Sequence, residues 1–438
     1  MRLKFVSKRN FWLSFTIALA TITSVLMVQS NSPSWAIFQD SPKELVDEVW
    51  QVINREYVDS TFNHQDWEQT RKKYLSRDYK TPEAAYKAIR EMVKTLDDPY
   101  TRFMDPKQYE SMQIDTSGEL SGVGIQLGQD QKTKQLTVVS PVEDSPAFLA
   151  GVKSRDILVA IDGKTTKGMD VDDAVGRIRG KEGSSVTLTF LREKKTLAVP
   201  LVRAHIELKS VKSALKVEQG QRIGYVRLTQ FSAKADKGVH AAIDKLLEEE
   251  VEGFILDLRS NPGGLLYSSA EIARLWMDEG TIVSTVDRNG QRERLMANRQ
   301  ALTDKPLVVL VDGGSASASE ILSGALQENH RAVLVGTKTF GKGLVQSVHP
   351  LSDGSGLAVT IARYQTPSGR DINKKGIEPD FKIDLPKKFK FEQVATPEDP
   401  QYARAAQILT EKIAARTNGS VVTAKTRSEE EVPQASTK

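Results

Sequence analysis

The sequence of 438 residues contains no cysteine and only five histidines. The absence of cysteine excludes disulfide bonds, thiolate nucleophiles, thiolate zinc sites and cysteine-ligated iron–sulfur clusters. The histidines are His64, His205, His240, His330 and His349. Because no two of them have the H-x-x-x-H spacing of a helical metal site, we expect a protein without a metal ion or another cofactor.

Excess charge is also scarce. Lys and Arg number 61 and Asp and Glu number 57, which gives a formal net charge of +4. Such a balance, without a basic stripe, argues against a nucleic-acid partner. Hydrophobic residues make up 39% and charged residues 27% of the chain, as in ordinary folded proteins. The length suggests about three domains.

Long apolar runs are missing except near the start of the chain. Residues 11–28 are largely apolar, follow four basic residues and precede Ser34-Trp35-Ala36. A basic start, an apolar middle and a small-x-Ala end are typical of a signal peptide, here residues 1–36, cleaved after Ala36. The run is also close to the lower length limit of a membrane anchor, and that alternative stays open. Both interpretations predict that the remaining chain is exported.

The sequence pattern divides the exported part into four regions. Residues 37–115 are predicted to be helical, with a capping box at Ser41-Pro42-Lys43-Glu44 and a second helix between Thr81 and Asp97. Residues 116–205 form a small strand-rich module. Its predicted strands cover 122–127, 157–161 and 186–190, and its short helices begin at Ser145-Pro146 and near Val171.

Residues 206–390 alternate between strands and helices. The predicted strands cover 223–228, 254–258, 307–311, 332–335 and 344–348, and amphipathic helices separate several of them. This order predicts an α/β core with helices covering the sheet. Residues 391–438 are predicted to form a C-terminal helix and a tail that is disordered after about residue 415. The fold class is therefore α+β and multidomain.

A serine-rich loop follows the buried strand 307–311. In Gly313-Gly314-Ser315-Ala316-Ser317-Ala318-Ser319-Glu320, glycines end the strand and serines open a helix. A hydroxyl at this position lies beside unpaired backbone N–H groups and the positive helix end, which stabilise a developing alkoxide or oxyanion. Ser317-x-x-Glu320 is equally the pattern of a plain capping box.

A lysine lies between glycines in Thr339-Phe340-Gly341-Lys342-Gly343, with apolar strands on both sides. Desolvation there would lower the pKa of Lys342 and leave a neutral amine that can accept a hydroxyl proton. Gln346 follows four residues later, and even spacing along a strand would place it on the same face, where its amide could orient the lysine. The alternatives are a solvated turn lysine and an ordinary polar strand residue.

A third loop, Asn261-Pro262-Gly263-Gly264, follows the strand 254–258. Glycines at a strand end allow the backbone to approach a ligand closely, and a free N–H there could complete an oxyanion hole. The alternative is a tight turn that starts a helix.

Two other arrangements are disfavoured. Gly336-x-x-x-x-Gly341-Lys342-Gly343 nearly matches a phosphate-binding loop, but it lacks the hydroxyl residue after the lysine and the helix that should follow. A Ser-His-Asp arrangement would need His330 or His349, and neither lies in a glycine-framed site.

Five motifs in order resemble the C-terminal processing peptidases, in particular those of cyanobacterial type. They are the serine loop around Ser317, the Phe-Gly-Lys-Gly loop with Gln346, and the segments 258–264, 118–124 and 96–103. The resemblance covers roughly residues 41–390. It implies an exported serine protease with a Ser-Lys dyad, a PDZ domain at 116–205 and a protease core at 206–390.

The resemblance also assigns roles to individual residues. It implies that Ser317 is the nucleophile, supported by Ser315 and Ser319, that Lys342 is the general base and that Gln346 positions it. The backbone N–H groups of Gly263 and Ala318 would form the oxyanion hole. The PDZ segment Gly122-Val123-Gly124-Ile125 would bind the substrate carboxylate. Some family members carry aspartate where Glu328 stands, and we assign no role to Glu328.

The implied function is an endopeptidase that recognises C-terminal tails of proteins in the periplasm or thylakoid lumen and cleaves near the C-terminus. Expected substrates are a photosystem II reaction-centre precursor or tagged periplasmic proteins. A membrane contact is expected only if the signal segment is uncleaved. The alternatives are a non-catalytic PDZ scaffold or chaperone, and a different Ser-Lys hydrolase such as an amidase.

Overall fold

The computed structural model describes residues 41–130 and 133–430, and all structural statements concern these residues. The predicted signal peptide, residues 1–36, lies outside them. No helix in the described part of the chain is both long enough and apolar enough to cross a membrane.

The N-terminal region packs three helices around an apolar core. Its elements are α1 (Pro42–Glu56), α2 (Trp67–Leu75), α3 (Pro82–Lys94), β1 (Arg102–Met104) and α4 (Pro106–Ser117). The capping box is confirmed: the Glu44 N–H donates to Ser41 Oγ at 3.3 Å, and the Ser41 N–H donates to Glu44 Oε2 at 2.9 Å. The region is not purely helical as predicted, because β1 pairs with a strand of the protease core.

The second region is a small sheet with two short helices on it. Its elements are β2 (Glu119–Gly122), β3 (Ile125–Gln129), β4 (Leu136–Pro141), α5 (Pro146–Leu149), β5 (Ile157–Ile161), β6 (Lys164–Thr165), α6 (Val171–Ile178), β7 (Ser185–Arg192), β8 (Lys195–Val202) and β9 (Ala204–Glu207). The sheet order is β3-β4-β5-β7-β8, with β6 on β5. Strands β2 and β9 pair separately as a two-stranded ribbon at the entry and exit of this region.

The predicted continuous strand over 122–127 is wrong. It is broken after Gly122 because Gly124 has a φ of +77° and Val123 turns into the apolar core, where it is 1% exposed. Strand β2 therefore ends in the ribbon and β3 begins a different sheet.

The third region is the α/β core. Its elements are β10 (Val211–Glu218), β11 (Gln221–Leu228), α7 (Ala235–Glu248), β12 (Gly253–Asp257), α8 (Leu266–Arg274), β13 (Thr281–Asp287), β14 (Arg292–Met296), β15 (Leu307–Val311), α9 (Ala318–Glu328), β16 (Val333–Gly336), β17 (Leu344–Pro350), β18 (Gly356–Gln365), β19 (Phe381–Lys382) and α10 (Pro400–Glu430). A short 3-10 helix, Phe391–Gln393, precedes α10.

The main sheet has the order β10-β11-β12-β15-β16-β19, and it is parallel from β11 onward. Alternate residues face opposite layers. Phe254 and Leu256 pack with helices α7, α8 and α9, whereas Ile255 packs with α10. Both faces are thus covered, so β12 and β15 are buried along their whole length.

A second sheet, which the sequence analysis did not predict as a sheet, has the order β1-β18-β13-β14, and β17 pairs with β18. Of its strands only β17 was predicted. Because β1 belongs to the N-terminal region, this sheet joins that region to the core.

Helix α10 extends to Glu430, beyond residue 415, where disorder was predicted. No proline interrupts the sequence between Pro400 and Pro433, so helical hydrogen bonds can continue. The start of α10 is anchored by the buried Asp399, which lies 2.8 Å from Arg259 Nη2. Residues 431–438 lie outside the described residues.

Candidate active site

Ser317, Lys342 and Gln346 open into one cavity of about 850 Å³ between the N-terminal region and the protease core. The core contributes residues along β17 and β18 and the glycine turn at Gly264, and the N-terminal region contributes Tyr100. The structure therefore brings together the three side chains that the sequence predicts to be catalytic.

Ser317 occupies a strained turn between β15 and α9. Its φ of 55° and ψ of −114° are unfavourable for a residue with a side chain, and such strain is common at functional sites. The neighbouring serines tie this turn to the glycine loop: Ser315 Oγ donates to the Leu258 carbonyl and Ser319 Oγ to the Asn261 carbonyl, both at 2.9 Å. The surrounding bonds thus hold the serine turn in place.

Gly263 lies so close to the serine turn that no side chain fits. A Cβ there would be 2.7 Å from the Ala316 carbonyl oxygen and 2.9 Å from Ser317 Cβ, and the φ of Gly263 is +103°. The glycine loop and the serine turn are therefore in direct backbone contact.

The expected oxyanion donors differ in their availability. The Ala318 N–H, at the first position of α9, has no hydrogen-bond partner among the described residues. The Gly263 N–H, contrary to expectation, is not a free donor here, because Asn261 Oδ1 accepts it at 2.9 Å. Gly264 lines the cavity, and its N–H has no partner in the described part of the chain.

Burial lowers the pKa of Lys342, and the positive charge of Arg102 lowers it further, whereas Asp98 and Glu320 oppose these effects. The direction agrees with the predicted desolvation. Lys342 Nζ lies 4.8 Å from the centroid of the Tyr100 ring. Compared with bulk water, the cavity therefore stabilises the neutral amine of Lys342 relative to its ammonium form.

Glu320 is a site residue that the sequence analysis considered only as half of a capping box. Its side chain is 0% exposed. Oε2 accepts the N–H groups of Ser317 at 2.9 Å and Lys342 at 2.8 Å. Oε1 accepts the Gly341 N–H at 2.7 Å and Thr339 Oγ1 at 2.6 Å. One buried carboxylate thus joins the serine turn to the lysine loop. Its signal in the sequence is an acid in the first turn of a helix whose following residues are largely apolar.

Gln346 reaches the cavity for a different reason than predicted. Lys342 precedes β17, and the register shifts between Val345 and Gln346, so simple alternation along a strand does not relate the two side chains. The bulge re-aims the strand instead. Gln346 pairs across the sheet with Thr360, and its Nε2 lies 3.5 Å from Thr360 Oγ1.

The competing motifs find no support. A strand, β17, follows Lys342 where a phosphate-binding loop requires a helix. His349 Nε2 lies 2.7 Å from Glu56 Oε2, and neither His349 nor His330 lines the cavity.

Glu328, to which no role was assigned, forms an ion pair with Arg370 at 2.9 Å. No group of three or more His, Asp or Glu side chains within 41–130 and 133–430 could hold a metal ion.

The predicted carboxylate-binding segment lies between β2 and β3. Gly122 pairs with Ala204 in the ribbon, and Ile125 begins β3. The N–H groups of Val123 and Gly124 have no partner among the described residues, whereas their carbonyls accept from Ala147 and Val142 at 2.9 Å. Strand β3 forms an edge of its sheet. Free N–H groups beside an edge strand are the geometry that PDZ domains use to bind a peptide terminus.

Comparison with known sequences defines the class of protein. Residues 222–383 match the family model of Peptidase family S41, and residues 137–192 match that of the PDZ domain. The chain is therefore a serine-type peptidase that carries a PDZ domain.

Relatives narrow the class to one family. The chain is 46% identical over 409 residues to the carboxyl-terminal-processing protease of Synechocystis sp., covering 93% of this chain and 95% of that protein. It is 41% identical over 402 residues to the chloroplastic carboxyl-terminal-processing peptidase 2 of Arabidopsis thaliana, covering 87% of this chain and 77% of that protein. The chain therefore belongs to the carboxyl-terminal-processing proteases, which confirms the predicted family and enzyme class.

A solved structure supports the same assignment. The photosystem II D1 C-terminal processing protease matches with a TM-score of 0.54 and 36% identity, covering 83% of this chain and 99% of that chain. The predicted mixed fold, with helical, PDZ and protease parts, is thereby confirmed.

Proposed function

We propose that this C-terminal processing peptidase hydrolyses its substrates with a dyad of Ser317 and Lys342. The main support is that both side chains open into one cavity, while their backbone N–H groups share the same oxygen of Glu320. Gln346 lines the same cavity, and we assign it the orientation of the lysine.

Recognition of the substrate begins at the PDZ domain. The terminal carboxylate of a protein tail accepts the free N–H groups of Val123 and Gly124, within the segment from Gly122 to Ile125. The residues before the terminus then pair with the edge of β3, beside α6. This mode selects free C-terminal tails, because an internal peptide segment has no carboxylate to offer.

Hydrolysis then proceeds in two halves. Neutral Lys342 accepts the hydroxyl proton of Ser317 while Ser317 Oγ bonds to the peptide carbonyl carbon. The ammonium of Lys342 returns the proton to the leaving amine as the C–N bond breaks. Water then gives a proton to Lys342 as its oxygen bonds to the acyl carbon. The bond from that carbon to Ser317 Oγ breaks, the Lys342 ammonium returns the proton to Ser317 Oγ, and the shortened product leaves.

The developing oxyanion requires two backbone donors. The Ala318 N–H is one of them. The second comes from the turn of Gly263 and Gly264: the Gly264 N–H is unpartnered, whereas the Gly263 N–H serves only after it leaves Asn261 Oδ1.

We further propose that the enzyme acts after export, in the periplasm or thylakoid lumen, on the precursor of a photosystem II reaction-centre subunit. The support is the signal-like sequence of residues 1–36 and the similarity to a chloroplastic peptidase and to a photosystem II D1 processing protease.

The decisive experiment is trapping with Ser317→Ala. The variant should lose cleavage of a tailed reporter but keep tail binding, and mass spectrometry of the proteins it retains should identify the precursor. Ser352→Ala, at an exposed serine outside the cavity, should cleave normally. Cleavage by Ser317→Ala at the wild-type rate would remove Ser317 as the nucleophile. Recovery of other periplasmic proteins alone would replace the proposed substrate.

A further inference from the structure

The motif Leu96-Asp97-Asp98-Pro99-Tyr100-Thr101-Arg102-Phe103 lies in the N-terminal region, and the dyad does not explain it. Pairing of β1 with β18, in which Arg102 is opposite Ala358, carries this segment to the cleft. Tyr100 and Arg102 line the cavity itself. A part of the chain outside the protease core therefore forms one wall of the proposed site.

Asp98 is the centre of a compact hydrogen-bonded cluster behind that wall. Its Oδ2 accepts the hydroxyls of Thr101 at 2.7 Å and Thr360 at 2.6 Å, and its Oδ1 accepts the Tyr100 N–H at 2.9 Å. The Thr360 N–H donates to Thr101 Oγ1 at 3.0 Å. Thr101 is 3% and Thr360 1% exposed, so both hydroxyls are shielded from water.

This cluster determines what Thr360 offers to Gln346. A hydroxyl has one proton, and that of Thr360 is donated to Asp98, so only oxygen lone pairs remain for its cross-strand partner. The amide nitrogen of Gln346 is the end that lies against Thr360, at 3.5 Å. The amide oxygen is then left as the acceptor for a lysine ammonium, whereas the reversed amide would present N–H groups to a cation.

We infer that Asp98 and Thr360 are positioning residues of the hydrolytic site, which fix the end of the Gln346 amide that is offered to Lys342. The inference rests on the proposed dyad. It assigns to the motif at residues 96–103 a role in hydrolysis, in addition to its role in joining the N-terminal region to the core.

The test is a double-mutant cycle between Thr360→Val and Gln346→Ala. Valine has nearly the shape of threonine and lacks the hydroxyl. We expect Thr360→Val to lower kcat about tenfold with KM unchanged, as loss of an orienting partner does at other sites. In the Gln346→Ala background it should lower kcat no further, because the effect passes through Gln346. Thr360→Ser, which keeps the hydroxyl, should retain nearly wild-type activity.

A second pair of variants tests Asp98. In Asp98→Asn the amide can donate to Thr360 Oγ1, which releases the hydroxyl proton toward Gln346 and reverses the polarity of the chain of bonds. We expect a loss of kcat at least as large as that of Thr360→Val. Asp97→Asn is the matched control: it is the adjacent, exposed aspartate with a φ of 52°, which asparagine tolerates, and it should keep full activity.

Thermal melting curves identify any variant that fails to fold, and each residue is tested independently of the other. Equal losses from Thr360→Val in both backgrounds would overturn the inference, since the effect would then bypass Gln346. An Asp98→Asn enzyme as active as Asp97→Asn would overturn it as well. Both outcomes leave the proposed function intact, because that function is tested separately by the Ser317→Ala and Lys342→Arg variants.

Discussion

The two sides of the cleft are built in different ways. The serine turn connects β15 to α9 inside the core, and its supporting bonds run to Leu258 and Asn261 on the neighbouring strand end. The lysine loop leads into β17 of the second sheet, which also contains β1 from the N-terminal region. The serine turn is thus tied mainly to the adjoining glycine loop of the core, with one further bond from Tyr364 of β18 to the Ser317 carbonyl at 3.2 Å. The position of Lys342 depends on two regions that meet at the cleft.

The largest effect should come from removing the base. Lys342→Arg keeps a positive charge that cannot be lost near neutral pH, so we expect kcat to fall about 1000-fold or more. Cleavage of a tailed reporter measures this. Lys338→Arg, at an exposed lysine paired with Glu378, is the control and should be fully active. Normal turnover by the Lys342→Arg enzyme would rule out Lys342 as the general base.

Gly263→Ala should displace the serine turn. A methyl group at 2.7 Å from the Ala316 oxygen forces the serine turn away from the glycine loop. We expect activity to fall about 100-fold, because displacements of about 1 Å in a catalytic group have costs of this size. Gly176→Ala, on helix α6 with open space around the new methyl, should keep activity. Equal activity of the two variants would show that the serine turn tolerates displacement.

Glu320→Gln should disturb the serine turn and the lysine loop at once, since the Glu320 carboxylate accepts hydrogen bonds from both. The new amide N–H groups face backbone N–H groups, and we expect activity to fall about tenfold and the free energy of unfolding by about 1–3 kcal/mol. Denaturant unfolding and reporter cleavage measure the two effects. Glu328→Gln, at the partner of Arg370, should leave activity unchanged. A stable, fully active Glu320→Gln enzyme would show that the sides are independent.

The smallest effect should be on pH dependence. In the proposed mechanism activity needs neutral Lys342, so we expect activity to rise as pH increases through the lysine pKa. Arg102 lowers that pKa, against Asp98 and Glu320, and Tyr100 packs on the ammonium. Arg102→Gln should therefore shift the acidic limb of the pH–rate profile to higher pH, less at high salt because Arg102 is exposed. Arg299→Gln, on an exposed arginine, should leave the profile unchanged. A shift in the opposite direction would contradict the assignment of Lys342 as the base.

The sequence predicts the elements around the serine turn better than the second sheet, into which the lysine loop leads, and the reasons are physical. Strand β15 is wholly apolar, and α9 starts at a clear serine-rich boundary, so both follow from local patterns. The second sheet has no such pattern: β18 is buried along nearly all of its length, β14 is largely exposed, and β1 has three residues. Its pairing depends on contacts between distant parts of the chain.

The same difference explains which site residues escaped prediction. Ser317, Lys342 and Gln346 stand in distinctive local motifs, whereas Glu320 matches a common capping pattern that conceals its contacts with Gly341 and Lys342. Asn261 Oδ1 accepts the Gly263 N–H, a side-chain contact across two residues that the sequence analysis did not consider. Asp98 and Thr360 meet only because β1 pairs with β18.

The ribbon of β2 and β9 has a consequence for how such chains are assembled. The ribbon brackets the region that contains the PDZ match: Glu119 and Glu207 are register partners, and the Leu208 N–H donates to the Gly118 carbonyl at 2.8 Å. The whole module is thus a cassette inserted at a single point between α4 and β10. Because the two chain ends that flank the module already lie side by side, recombination could replace the module with another peptide-binding domain without disturbing the protease core. Such an exchange would direct the protease to different substrates.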